Sequence, residues 1–257
     1  MTNIDRRGWI VGAGAALAGS LAASSAAQAA SGKVAPGKAT NAQAANGREG
    51  PVYDYLFLDF EAPPSARPAA DYAKQLSARA AQVQGAGGQL LGLFTPQLGW
   101  HAGQAALLVG WAPGAASREA VVNELSALPG VRSVRRDRLE ATARPAAGDR
   151  PRAGGIYVHR WFVIETPSLD EVVSLSTLGW KDFEAKFDTN IFGLFRAAPS
   201  AGDQAGGLTR LLLLTRYGGH GVWETSRDPS TEAMAAFGRR QKLTVDTWAA
   251  STLLTPL

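Results

Sequence analysis

Three short runs of the chain carry side chains able to do chemistry. Tyr157-Val158-His159-Arg160-Trp161-Phe162-Val163-Ile164 sets an imidazole beside a guanidinium in a strand-like stretch. Leu211-Leu212-Leu213-Leu214-Thr215-Arg216-Tyr217 ends a second apolar run in an arginine and a phenol, and Arg196 closes a third after Gly193-Leu194-Phe195. A guanidinium stays charged and grips carboxylates or enolates through paired hydrogen bonds. On neighbouring strands, Arg160, Arg196 and Arg216 could converge on one anionic or phenolic substrate; the alternative is that they end at the sheet rim or pair with Asp and Glu. His159 is the one of the three histidines that falls on a clear strand, which suits a general base, a haem ligand or a hydrogen-bonded structural histidine. His101 follows Trp100 in a loop, and His220 and Glu224, four apart, are flanked by glycines that argue against a shared helix face. Alternation puts Tyr157, His159 and Trp161 on one strand face and Val158, Arg160 and Phe162 on the other, and residue polarity alone favours the first set as a cavity lining. Trp161, Trp180, Trp223 and Tyr217 add aromatic mass that reads first as core packing; lining a cavity, these rings would suit a flat aromatic ligand.

The elements that must hold these residues are written twice. Tyr53-Asp54-Tyr55-Leu56-Phe57-Leu58-Asp59-Phe60, then a helical stretch, then Gly92-Leu93-Phe94, then Ala105-Ala106-Leu107-Leu108-Val109-Gly110-Trp111 foreshadow the later series. The first copy reads as a strand at 52–61, a helix near 67–84 with Tyr72, Leu76, Ala80 and Val83 on one face, and strands near 89–95 and 104–111. A helix from Ser117 then carries Val121, Val122, Leu125 and Leu128 to a stop at Pro129-Gly130, before a strand near 132–143. In the second copy Ser168-Leu169-Asp170-Glu171 has the form of a capping box opening a helix with Val172, Leu175, Trp180, Phe183 and Phe187, with a break expected at Gly179. Strands near 190–196 and 208–217, helical material and an end strand near 247–256 follow. This strand–helix–strand–strand–helix–strand order is the split β-α-β, ferredoxin-like unit. Such a unit leaves one sheet face bare, so the expected fold is α+β, with two tandem halves (51–145 and 155–257) closing a pseudo-dimeric barrel.

Composition bounds the rest. Arg6-Arg7 before a mild apolar stretch and Ala27-Gln28-Ala29 read as a twin-arginine signal over 1–29, and hence export to the periplasm. Residues 30–50 hold almost no large apolar side chain and read as a flexible tether. Arg144 to Gly155 is rich in Pro, Gly and charge, a linker between the halves. There is no cysteine, which removes disulfides, thiolate metal sites and cysteine nucleophiles. The net charge of +4 comes without a Lys/Arg block, so no nucleic-acid partner is expected, and no stable membrane insertion. No serine-hydrolase elbow, phosphate loop or pair of catalytic carboxylates is visible.

The second copy resembles the NIPSNAP-type proteins of the dimeric α+β barrel superfamily. Leu214-Thr215-Arg216-Tyr217 and Trp223-Glu224-Thr225-Ser226-Arg227 are similar to that family's Arg-Tyr strand end and Trp-Glu-x-Ser-Arg helix, and Gly193-Leu194-Phe195 to its second strand. Tyr157 to Phe162 is similar to its Tyr-Glu-x-Arg-x-Tyr strand, with Val158 in the place of the acid and Phe162 in the place of the tyrosine. In the first copy Gly110-Trp111 replaces Arg-Tyr, so the second half is where a site is expected. The resemblance implies a barrel interior holding an apolar or aromatic small molecule, with Arg160 and Phe162 facing inward. It suggests His159, Arg160 and Arg216 as catalytic residues, with Trp161, Phe162, Arg196 and Tyr217 against the ligand. Cofactor-free transformation and non-catalytic binding or assembly are the two leading readings. Haem, on His159 or His220, is the lesser alternative, and relatives that pair again through sheet edges suggest a homodimer.

Overall fold

The computed structural model describes residues 50–61, 67–255 and 257, so the signal and most of the tether lie outside the described residues. In the first half, β1 (Val52–Phe60), α1 (Pro68–Gly85), β2 (Gly88–Leu98), β3 (Gln104–Trp111), α2 (Arg118–Ser126) and β4 (Val131–Ala141) follow one another. The second half runs β5 (Ile156–Glu165), α3 (Leu169–Lys186), β6 (Thr189–Ala197), α4 (Ala201–Gly206) and β7 (Leu208–Tyr217). It ends with α5 (His220–Thr225), α6 (Glu232–Lys242) and β8 (Thr244–Thr255). The strands form one closed antiparallel barrel in the order β1-β3-β2-β8-β5-β7-β6-β4. Each half contributes a ferredoxin-like sheet in which its first strand lies between its fourth and its third. The halves join where β2 pairs with β8 and β4 with β6. Closure gives every strand of the barrel a neighbour on both sides, with the β4–β6 seam confined to Leu139–Ala141 against Phe195–Ala197.

Strands β1, β3, β5 and β7 are nearly continuous buried runs because both of their faces are covered. One face of each half packs under its helices: Leu56, Leu58, Leu107 and Val109 under α1 and α2, and Val158, Phe162, Ile164 and Leu211 under α3 and α6. The other faces meet in the barrel interior, where Tyr53, Tyr55, Phe57, Phe94 and Leu108 pack against Tyr157, Trp161, Phe195, Leu212 and Leu214. Edge-to-face contacts such as Tyr53 with Phe195, at 5.0 Å between ring centres, fill that interior with side chains.

Two local expectations are corrected. Ser168 does not cap α3: a 3₁₀ turn over Thr166–Ser168 holds it in helical geometry, away from the backbone N–H groups it would have to reach. The capping box forms instead at α4, where Ser200 and Asp203 satisfy each other's backbone donors. Gly179 does not interrupt α3. It lies where α6 crosses closest, and an added Cβ would meet Phe237 Cε1 at 2.6 Å. Among the described residues no helix is long and apolar enough to cross a membrane.

Candidate functional site

Strand β5 decides which residues see which environment. Tyr157, His159 and Trp161 point into the barrel, while Arg160 and Phe162 point towards α3 and α6. The expectation that Arg160 and Phe162 face inward is therefore corrected. A guanidinium among the interior rings would have neither water nor a counter-charge, whereas a neutral imidazole needs only two hydrogen-bond partners.

His159 finds both. Tyr55 Oη lies 2.9 Å from Nδ1, and Thr252 Oγ1 lies 3.0 Å from Nε2. The Thr252 hydroxyl donates to the Tyr157 carbonyl at 3.2 Å, so Nε2 carries the ring proton and Nδ1 accepts from Tyr55. Phe94 and Trp100 close over the ring at 4.7 and 5.0 Å. Burial pushes the imidazole down to about 3 and raises the Tyr55 phenol. With both nitrogens engaged and 1% of its surface exposed, His159 pins the two halves together and has no lone pair to offer a ligand.

The other expected residues separate. Arg216 shares the inner face of the sheet at its end, donating from Nε to the Gly154 carbonyl at 3.1 Å and pairing with Asp188. Arg196 faces outwards and pairs at 2.5 Å with Glu140, its register partner across the β4–β6 seam. Trp161 lies in the barrel, stacked on Trp248 with 6.1 Å between ring centres. Convergence of Arg160, Arg196 and Arg216 on one molecule is thus overturned by strand alternation and by acidic partners. His220 opens α5 and bonds Ser251 Oγ at 3.1 Å through Nε2.

Arg160 and Tyr217 do come together, in a cavity of about 270 Å³ between the second sheet and α3, α5 and α6. Trp180, Phe183 and Leu213 form part of its wall, with Trp223 and Arg227 after β7 and Phe237 and Arg240 from α6. Arg240 is 7% exposed; its Nη1 donates to Ser176 Oγ at 3.1 Å, and its guanidinium sits 4.7 Å from the ring centres of both Phe162 and Phe237. Its Nε has no partner, and neither has the buried indole N–H of Trp180. Burial, reinforced by Arg160, lowers Arg240 to about 10, and Arg160 is likewise lowered by burial. Tyr217 is raised by burial, opposed by Arg160, Arg227 and Arg240. Among the described residues no Asp or Glu lines the cavity, and neither Arg160 nor Arg227 has an ion-pair partner. The pocket is thus an aromatic chamber with an unbalanced positive wall.

Arg240 and Phe237 are among the cavity residues not singled out from sequence, while Arg227 entered only as the end of the Trp-Glu-x-Ser-Arg run. The signal for Arg240 lies in α6, where Ala233, Ala236, Phe237 and Arg240 follow the spacing of one apolar face, so an arginine occupies a core position. Among the described residues of the first half, the matching position is filled by packed side chains. Pairing register makes Leu56 the counterpart of Arg160, and the chain passes directly from Trp111 towards α2 without an equivalent of α5.

Neither histidine expected to hold haem is free to do so. His159 is sealed with both nitrogens occupied, His220 is engaged by Ser251 outside the cavity lining, and the chain has no cysteine. No imidazole or thiolate therefore faces the cavity as an axial ligand.

No family model matches the sequence, and no curated protein matches it. Solved structures do resemble the fold. An anthrone oxidase-like protein is similar at a TM-score of 0.54 and 13% identity, over 80% of this chain and 92% of that one. A monooxygenase-labelled protein from Lactobacillus acidophilus gives 0.53 and 8%, over 80% and 94%, and one from Fusobacterium nucleatum 0.51 and 8%, over 80% and 92%. At these identities the likeness speaks for architecture alone. That architecture is the dimeric α+β barrel, with both ferredoxin-like halves supplied by one chain.

Proposed function

We propose that this protein binds an apolar or aromatic small molecule in the sheet–helix cavity of its second half. The observation that carries the reading is the chamber itself. Trp180, Phe183, Trp223 and Phe237 enclose a cavity, and unsatisfied polar groups of Trp180 and Arg240 are buried in its wall. Such a pairing of apolar walls with a few polar anchors is what ligand sites require. The barrel interior, packed with rings, is not part of this reading.

Binding is favoured over acid–base catalysis because, among the described residues, no carboxylate or imidazole lines the cavity and burial raises the one phenol there, Tyr217. A second reading, cofactor-independent oxidation, draws on the fold likeness to oxidase- and monooxygenase-labelled proteins and on Arg160, which is able to hold a phenolate or enolate. Oxygen uptake with an anthrone in metal-free buffer tests it; no uptake above that of an Arg160→Leu variant removes it.

The test of binding is native mass spectrometry of gently purified mature protein, combined with an absorption scan. Gly238 lines the cavity, and a side chain added there meets open space, so Gly238→Leu is expected to fill the chamber and strip the bound species. An adduct retained equally by that variant would place the ligand elsewhere, and no adduct from either protein would speak against the reading. Two further readings belong to the same proposal. Kinship with NIPSNAP-type proteins is supported by Arg216-Tyr217 and Trp223-Glu224-Thr225-Ser226-Arg227. Twin-arginine export to the periplasm is supported by Arg6-Arg7, and retention of an Arg6→Lys/Arg7→Lys variant in the cytoplasm is its expected sign.

A further inference from the structure

The positive wall of the cavity has a consequence beyond apolar binding. Arg160, Arg227 and Arg240 face a chamber with no acidic residue in its lining, and Arg240 is almost wholly buried with Nε unpartnered. Elsewhere in this molecule, arginines with comparable cover are paired: Arg118 and Arg136 with Asp54, Arg210 with Asp137 and Asp203, and Arg216 with Asp188. Removing a cation from water without a counter-charge costs several kcal/mol. The barrel does not need a cation at this register position, since the first half places Leu56 there and packs it completely. Arginines crowded around a cavity, each like-charged to the next, are offset when an anion enters.

We propose that the cavity is a receptor for an amphiphilic organic acid, its ionised carboxylate held by Arg160 and Arg240 and its aromatic or apolar body resting against Trp180, Trp223 and Phe237. This rests on the binding function proposed above and adds to it the charge of the ligand. A planar carboxylate matches the guanidinium fork, and the Trp180 indole N–H supplies a further donor. Arg227, exposed and lying over the Trp223 ring at 5.4 Å, flanks the entrance and draws anions inward. Burial lowers both Arg160 and Arg240, and like charge adds to it, from Arg227 on Arg160 and from Arg160 on Arg240, which is the sign expected of a wall built to face an anion.

The experiment compares naphthoate with its neutral analogue naphthalenemethanol by calorimetry on the mature protein. Naphthoate is expected to bind at least about tenfold more tightly, the range of a charge-assisted hydrogen bond. In Arg160→Leu and Arg240→Met that preference should vanish while naphthalenemethanol still binds. Both variants should also melt higher than the wild type without ligand, because an uncompensated cation has been removed. The melting shift separates loss of an anion receptor from simple misfolding, and Arg160→Leu carries the test alone if Arg240→Met fails to fold. Equal affinity of the two probes in the wild type would overturn the anion proposal and leave apolar binding intact. Binding of neither probe would overturn both. A preference that survives both substitutions would place the anion site elsewhere and also overturn the proposal.

Discussion

Arg160 and Leu56 occupy one register position in the two halves. Arg160 stands opposite Leu213 and Ala249, as Leu56 stands opposite Leu107 and Arg136. Both point under the helices of their own half. Around Leu56 the space is filled, and around Arg160 it is a chamber roofed by α5 and α6. The Arg-for-Leu exchange, together with the α5 segment that the first half lacks, therefore separates a core position from a candidate binding position.

The reciprocal substitution tests how much the surroundings matter. Leu56→Arg would bury a guanidinium in a packed core without a cavity to receive it. It should cost about 3 kcal/mol or more, read as a fall in the midpoint of urea unfolding. A cost below about 1 kcal/mol would mean that the two environments differ less than the packing indicates.

His159 makes stability depend on pH. Its pKa in the folded state is about 3, against an ordinary value of 6.5, so the unfolded chain binds the extra proton. The neutral ring's contribution is whole above the unfolded pKa and is lost as pH falls from about 6.5 towards about 3, at up to ~1.4 kcal/mol per pH unit. The groups around the ring are Tyr55, Phe94, Trp100 and Thr252, with Arg135 and Asp137 charged near Tyr55. Urea unfolding at a series of acid pH values should give a steeper loss for the wild type than for His159→Gln. Parallel curves would refute the assignment.

Gly179 couples α3 to the cavity. A Cβ at this position meets Phe237, which itself lines the chamber, so Gly179→Ala should push that ring into the ligand space. The helix gains about 1 kcal/mol in propensity, which offsets most of the packing cost. The expected result is near-unchanged stability with weakened ligand binding, measured by thermal melting and calorimetry together.

Asp54 holds the first half as firmly as Arg160 leaves the second open. Fully buried, it accepts two hydrogen bonds from Arg118 at 2.9 Å and one from Arg136 at 2.7 Å. Asp54→Asn leaves Arg118 and Arg136 to share Glu119 as their remaining counter-charge and should cost about 3 kcal/mol in chemical unfolding. Ligand affinity of the folded fraction should hold, since none of these residues lines the cavity.

The barrel could be read from the sequence because its signals are local. Alternating or continuous apolar runs, a helix with Tyr72, Leu76 and Val83 on one face, and a second copy of the same order leave few alternatives to paired ferredoxin-like sheets. The site was legible only in part. Residue type points to Arg160 and Tyr217, which meet in the cavity, but His159, Arg196 and Arg216 lie in the barrel interior, at the β4–β6 seam and at the sheet end.

Residue types and spacing determined by themselves that Arg160 and His159 lie on opposite faces of one strand, that two similar halves follow one another, and that thiolate chemistry is absent. Which of those faces looks into the barrel was beyond them, because the period of a strand fixes alternation and not direction. Only the closed tertiary structure decided it. Tyr55 and Thr252 arrive from distant strands to satisfy the imidazole inside, and α6 brings Arg240 and Phe237 to Arg160 outside.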